Sequence, residues 1–260
     1  MPHFTDQLQN SIFLPEKPRR IVSLVPSQTE LLFDLGLEEE VVGITKFCIH
    51  PAEKVKTKTK IGGTKNFNFE AIDALQPDLI IGNKEENYQE GIEKLAQKYP
   101  VWMSDIFTLE DALDMIRKVG ELTGMAQNAL EIVGKIAARF ASLLKPESEL
   151  TAAYFIWKNP YMVVGNNTFI DDMLQRCGFR NVFENETRYP EISIEMLQKS
   201  KPEVILLSSE PYPFKEKHLQ EFQEMLPEAK IMIADGEMFS WYGSRLLQAP
   251  AYLQKLLSEI

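Results

Sequence analysis

The 260-residue sequence has little that would tie it to a charged polymer, a membrane or a covalent framework. It has two cysteines, Cys48 and Cys177. They could pair, but nothing in the sequence brings them together, and two buried reduced thiols are the simpler expectation. Basic residues form no run beyond scattered lysines such as KVKTKTK at 54–60, and the formal net charge is -10. Neutralising a phosphate backbone takes clustered Lys and Arg, so nucleic acid is excluded as a partner, whereas an acidic surface suits a basic protein. No apolar run approaches the roughly 18 residues of a spanning helix. The first 20 residues, MPHFTDQLQNSIFLPEKPRR, lack the basic start, apolar middle and small-residue cleavage site of an export signal.

Signatures of catalysis are missing as well. There is no GxSxG elbow, phosphate-gripping glycine loop, HExxH or CxxC, and IGGTKN (61–66) is only a turn. Three histidines and no His-carboxylate cluster at ligand spacing argue against a bare metal ion held by protein alone, so no intrinsic cofactor is expected. A receptor is expected, not an enzyme.

What is present is a repeat. NFEAIDALQPDLII (68–81) returns as SIEMLQKSKPEVIL (193–206), matched by chemistry: Glu70 with Glu195, Ile72 with Leu197, Pro77 with Pro202, Asp78 with Glu203. Asn68 and Ser193 are good helix N-caps, the prolines end the helices, and short apolar strands follow. With 44% hydrophobic and 25% charged residues, the chain is long enough for two lobes with cores of their own.

Along the chain, periodicity and punctuation predict strand 21–25, helix 28–35 closed by Gly36, strand 41–45, the first repeat copy, helix 88–98, strand 101–104 and a helix ending at Gly124. A long amphipathic helix over about 127–144 follows as a bridge. The second half reads as strand 152–157, a helix ending at Gly178, the second copy, helix 215–225, strand 230–235 and a last helix. The expected fold class is α/β, with two Rossmann-like lobes of parallel sheet (1–124 and 147–260) joined by a single long helix (125–146).

In open parallel sheets ligands sit beyond the carboxyl ends of the strands, so facing lobes would line a cleft with those loops. The later loops are rich in aromatics: Tyr161, Tyr189, Tyr212, Phe214, Phe239, Trp241 and Tyr242. Rings in loops suit a large, flat, partly apolar ligand, although any one of them could instead cap a sheet edge. The expected ligand contacts are His50, Thr64, Lys65, Tyr161, Met162, Tyr189, Phe239, Trp241, Tyr242 and Arg245. His50 could give an axial nitrogen to a metal carried by the ligand, or be an ordinary hydrogen-bonded loop histidine.

The segments RIVSLVPSQTELLFDLG, IGGTKNFNFEAIDALQPDLIIGN, IWKNPYMVVGNNTFIDDMLQRCGFRNVF and ISIEMLQKSKPEVILLSS together resemble the helical-backbone (class III) substrate-binding proteins of ABC importers, closest to the cobalamin-binding branch. That resemblance covers nearly all of the chain from Arg20 onward. It implies a monomer that binds cobalamin or a related corrinoid, its cobalt carried by the ligand, and delivers it to a membrane permease. The same fold binding a ferric siderophore or haem is the alternative; a siderophore site would want convergent cations, for which Lys46, Lys65, Lys84, Arg188 and Arg245 are the candidates. A two-lobed enzyme is the distant third. Where the cobalamin branch has an aromatic and a tryptophan, this chain has His50 and Thr64. The resemblance further implies that Glu70 and Glu195, one per lobe, dock on the permease; from the residues alone, each equally complements its own helix dipole. It also implies an extracytoplasmic place of work, whereas the first 20 residues, read as a complete start, imply a protein that stays inside.

Overall fold

Gly36 and Gly178 close a helix in each half of the chain in the same way, with φ of 90° and 88°, values that a side chain would oppose. A computed structural model describes residues 3–146 and 148–260. The chain divides into two units, the first comprising residues up to Ile106, Glu110–Ile136 and Tyr242–Arg245, the second Phe107–Leu109, Ala137–Trp241 and Leu246–Ile260. The expected start of the second lobe, at 147, falls outside the described residues.

The first unit opens with a hairpin of β1 (His3–Thr5) and β2 (Ser11–Phe13), then β3 (Ile21–Ser23), α1 (Pro26–Asp34), β4 (Val41–Ile44), α2 (Ala52–Val55) and β5 (Thr59–Lys60). A small ribbon of β6 (Gly62–Gly63) and β7 (Asn66–Phe67) leads to α3 (Phe69–Leu75), β8 (Leu79–Asn83), α4 (Gln89–Ala96) and β9 (Val101–Ser104). Helix α5 (Leu109–Leu122) and helix α6 (Ala126–Ala141) follow. The main sheet runs β5-β4-β3-β8-β9, all parallel. Helix α1 starts earlier than periodicity suggests because Pro26 occupies its first turn, where its missing N–H costs nothing. Helix α6 stops short of the expected 144, and Leu144 is 71% exposed.

Both edges of this sheet are guarded. Lys60 lies in β5 and Lys58 just before it, a charge pattern that discourages strand addition. At β9 the hairpin closes the edge: Gln7 N donates to Met103 O at 3.1 Å, and the buried Asp6 carboxylate accepts from the amides of Leu8, Asn10 and Met103.

The second unit holds β10 (Leu150–Trp157), β11 (Met162–Val163), α7 (Phe169–Arg176), β12 (Phe179–Asn181), α8 (Ile194–Ser200), β13 (Val204–Ser208), α9 (Glu216–Met225), β14 (Lys230–Ala234), α10 (Gly236–Ser240) and α11 (Ala249–Ser258). Its sheet runs β11-β10-β13-β14, with β12 also on β10. All pairs are parallel except β10 with β11, which departs from the expected wholly parallel lobe. Residues 158–161 are too short a link for a crossover, so the returning strand must run antiparallel. The core of this unit is aromatic: Phe155 and Phe222 are fully buried with ring centroids 4.8 Å apart, and Phe214 and Tyr161 pack on them.

The repeat copies fold alike down to their caps. Asn68 Oδ1 accepts from Ala71 N at 3.0 Å and Ser193 Oγ from Met196 N at 3.2 Å. Both helices end on a left-handed residue, Gln76 (φ 45°) and Lys201 (φ 46°), immediately before the proline. The matched carboxylates then do matched work: Asp78 accepts from the amides of Arg19 and Arg20, and Glu203 from the amide and hydroxyl of Thr151, each tying its strand to the one beside it. No helix among the described residues is long and apolar enough to cross a membrane.

Cys48 and Cys177 are both unpaired and buried. Burial pushes the Cys177 thiol up to about 12 and raises that of Cys48 against hydrogen bonds from Thr29 and Thr45. A raised thiol stays protonated at pH 8, and the thiolate is the nucleophile. Iodoacetamide is therefore expected to leave the folded protein unlabelled and to label both sites in urea, read by intact mass. Labelling of either residue in the native state would contradict the burial.

Candidate functional site

The carboxyl end of the first sheet is held together by buried side-chain amides and hydroxyls. Gln28, in the first turn of α1, donates to Ser104 Oγ at 2.6 Å, and Asn83 donates to the same oxygen at 2.9 Å. Asn87 accepts from Asn83 N at 2.9 Å and donates to Leu24 O and Thr64 O at 3.2 and 3.1 Å. This network fixes the loops after β3, β8 and β9 relative to the turn that carries Thr64 and Lys65. The Lys65 ammonium donates to the carbonyls of Glu85 and Asn87.

The loop after β4 is pinned at its middle. Cys48 is 2% exposed, its Sγ 3.2 Å from Thr29 Oγ1 and 3.3 Å from Thr45 Oγ1. Its neighbours turn outward: Phe47 is 52% exposed, with the Lys46 ammonium 5.1 Å from the ring centroid, and Ile49 is 50% exposed. His50 follows, half-buried. Sequence reading passed over Phe47 and Ile49; the signal was the alternation in KFCIH, with the anchored cysteine between two large apolar residues.

Arg245 lies in this unit and is committed. Its Nε and Nη2 donate to Glu30 Oε2 and Oε1 at 3.0 and 2.7 Å, with both residues 7% exposed. Burial raises the Glu30 carboxyl, opposed by Arg245 and more weakly by His50. Tyr242 is 6% exposed and belongs to the same segment.

In the second unit Tyr161 and Met162 run beside 189–192, with Ile192 N donating to Tyr161 O and Met162 bridging Glu191. Tyr161 turns its ring onto Phe155 and Phe222 and its hydroxyl to Glu221 at 2.6 Å. Tyr189 is half-buried, with the Arg188 guanidinium 5.6 Å from its ring centroid and equally far from that of Phe107. Phe239 corrects the expectation of a loop aromatic open to ligand. It has no exposed area, sits in α10 and packs on Tyr154 at 4.9 Å, because the short helix turns that ring onto the sheet. Trp241 is 7% exposed, and its Nε1 donates to Glu210 Oε1 at 3.0 Å. Burial raises the Glu210 carboxyl against hydrogen bonds from Ser240 and Trp241. Trp157 is an open aromatic of this unit, 40% exposed and edge-on to Tyr212 at 5.7 Å.

Glu70 and Glu195 are exposed in the first turns of α3 and α8. Glu195 is held below the usual carboxylate range by its hydrogen bond with Ser193 and its own backbone. Ile194 and Met196 beside it are 38% and 42% exposed. Among the described residues no group of three or more His, Cys, Asp or Glu is placed to hold a metal ion. A cavity of about 830 Å³ between the N-terminal hairpin and α4 is lined by Leu8, Ile12, Ile92, Val101 and Met103. None of the ligand contacts expected from the sequence lines it, whereas Lys84, a candidate cation for a siderophore, does.

The sequence profile of the periplasmic binding protein family matches residues 21–231. The chain belongs to that family. Among relatives, it is 26% identical over 247 residues to the vitamin B12-binding protein of Photorhabdus laumondii, covering 93% of this chain and 89% of that protein. Among solved structures, it is similar to the periplasmic vitamin B12 binding protein BtuF of Vibrio cholerae (TM-score 0.77, 21% identity, 94% of this chain and 98% of that one). The periplasmic heme binding protein HutB of Vibrio cholerae is as similar (TM-score 0.79, 22% identity, 92% and 98%). At such identities the two structures speak for the fold, a two-lobed α/β binding protein. In a periplasmic binding protein the loops after the strands are where a ligand is to be sought; Phe47 and Ile49 open apolar side chains to solvent in the loop after β4, and Trp157 does so at the end of β10.

Proposed function

We propose that this periplasmic binding protein is the substrate-binding component of an ABC importer, and that its ligand is cobalamin or a related corrinoid, a large flat molecule whose edge carries uncharged amides. One observation carries the ligand class: the cations that an anionic chelate would need are already engaged. Arg245 is paired with Glu30, Lys84 with Asp105 at 2.7 Å, Lys65 with two carbonyls, Arg188 with Asn167 O, and Lys46 lies over Phe47. Phe47 and Ile49 open apolar side chains in the loop after β4, which suits the face of a macrocycle. The named function of the Photorhabdus laumondii relative supports the same reading.

Cyanocobalamin titrated into the protein is expected to shift its visible bands and saturate at one equivalent, while haemin and a ferric hydroxamate bind more weakly. Tight haemin binding without a cobalamin response would overturn the reading in favour of haem. Phe47→Ala with Ile49→Ala is expected to weaken cobalamin binding by about 1 to 3 kcal/mol, the scale of an apolar anchor, without lowering thermal stability, since both side chains are half exposed. Unaltered affinity would remove this loop from the contact set.

A further inference from the structure

The cavity between the N-terminal hairpin and α4 takes all its walls from the first unit. On α4 they are Gln89, Ile92, Glu93 and Ala96, one helical stripe that covers two turns, about 10 Å at 1.5 Å per residue. Val101 and Met103, alternate residues of β9, lie on the same side of their strand, and Ile12 of the hairpin lines the cavity with them. These three are 9, 4 and 5% exposed. The hairpin is bound to the edge of β9 through Gln7 and Asp6, yet the space toward α4 stays open, and Ala96 at the end of that helix offers only a methyl group.

The polar side chains around the cavity are already engaged within the protein. Gln89 donates to Glu93 at 2.7 Å, Lys84 pairs with Asp105 at 2.7 Å, and the Tyr99 hydroxyl donates to Asp73 at 2.7 Å. Asn10 donates to Asp6 at 2.9 Å, Ser11 Oγ lies 3.4 Å from His3 Nδ1, and Asn87 donates to two carbonyls. We propose that this cavity is a second binding site, for a short, uncharged, mainly hydrocarbon molecule taken from solution. Its volume of about 830 Å³ falls in the range of small-molecule sites. Water held against apolar walls lacks the polar partners that make a buried water stable, so a hydrocarbon guest displaces it at little loss. A charged guest would either go unpaired or break one of the bonds above. The α4 wall is shorter than one leaflet of a bilayer, roughly 15 Å or half of the roughly 30 Å hydrocarbon core, so a membrane lipid's tail is too long for it. Phe47 and Ile49 lie outside the lining, and the site does not rest on the ligand proposed above.

The test titrates the full-length protein with N-phenylnaphthylamine, an uncharged dye that brightens in apolar surroundings, and with anilinonaphthalene sulfonate, the same rings carrying a charge. The uncharged dye is expected to saturate at one equivalent and to be displaced by decanol, with the sulfonate dye and decanoate each weaker by about tenfold or more. Ala96→Trp, which puts an indole into the space from an exposed position, should weaken the uncharged dye by about tenfold or more while thermal unfolding stays that of the wild type. Should that variant fail to fold, Ile92→Asn decides on the same readout. Phe47→Ala with Ile49→Ala should leave dye binding unaltered. Absence of saturable binding, equal affinity for the two dyes, or wild-type affinity in Ala96→Trp overturns the site, and loss of the dye in the Phe47 and Ile49 variant places it elsewhere and overturns it too. Sedimentation with phosphatidylcholine vesicles that Ala96→Trp abolishes would overturn a soluble guest in favour of a lipid tail. None of these readouts uses cobalamin, so the fate of the proposed function and that of this site are read separately.

Discussion

A protein carrying both Glu70→Lys and Glu195→Lys is expected to lose capture by its importer altogether while binding ligand as the wild type does. The two carboxylates occupy the same place in the two copies of the repeat, exposed in the first turns of α3 and α8. Neither helix depends on them for its cap, which Asn68 and Ser193 supply. Reversal should therefore remove the favourable interaction with each helix dipole and the exposed bond of Glu195 with Ser193, and leave the melting curve close to that of the wild type. A membrane partner presenting paired arginines, by contrast, would lose two charge-assisted contacts and meet repulsion instead. The carboxyl of Glu195 lies below its ordinary range because its charged form is hydrogen-bonded. A depressed carboxyl keeps its charge until the pH falls through that lowered value, so the contact made by Glu195 should persist at pH 5. The measurements are co-purification with the detergent-solubilised permease and uptake by vesicles containing it. Retained capture by the double variant would assign the glutamates to their helices alone.

Phe222→Ala is expected to cost about 3 to 5 kcal/mol of unfolding free energy, because a large buried ring would leave a cavity that its neighbours cannot fill. Phe222 is fully buried, and Phe155, Tyr161 and Phe214 meet it nearly edge-on at 4.8, 5.5 and 6.1 Å. Three rings that already interdigitate have little freedom to collapse into the space of a fourth. Tyr161→Phe, which keeps the ring and loses only the half-exposed bond to Glu221, should cost about 1 kcal/mol or less. Urea unfolding of both variants checks the contrast; equal losses would mean that the hydroxyl, not the ring, carries the role of Tyr161.

The fold was legible wherever one residue forces a backbone choice. Gly36, Gly178, Pro77 and Pro202 punctuate the chain, and the repeat was visible because Asn68 and Ser193 must cap and Asp78 and Glu203 must receive a neighbouring strand. The N-terminal hairpin was not legible, since its anchor is a single buried carboxylate, Asp6, whose distant partner Met103 no local pattern reveals. The site was harder still. Aromatic residues in loops suit open surface or the cap of a sheet edge alike, and Phe239 lies in a short helix that turns it inward, while the indole of Trp241 is held by Glu210. Exposure depends on which neighbour a residue is anchored to, and Cys48, the anchor that turns Phe47 and Ile49 outward, has its partner Thr29 on a different element. The pairing of Arg245 with Glu30 spans 215 positions, beyond any periodicity.

That separation also bears on the order in which the chain can be finished. Neither unit is a continuous stretch of sequence: the first waits for Tyr242–Arg245, and the second has already taken Phe107–Leu109. During synthesis Glu30 emerges early and its guanidinium partner only near the end, so the first half of the nascent chain carries a carboxylate destined for burial with nothing to neutralise it. Charged, that group keeps the first helix wet; protonated, it leaves the arginine's place vacant. A fragment ended at Trp241 should therefore be a poor substitute for the first unit, which is complete only once Tyr242–Arg245 have been made.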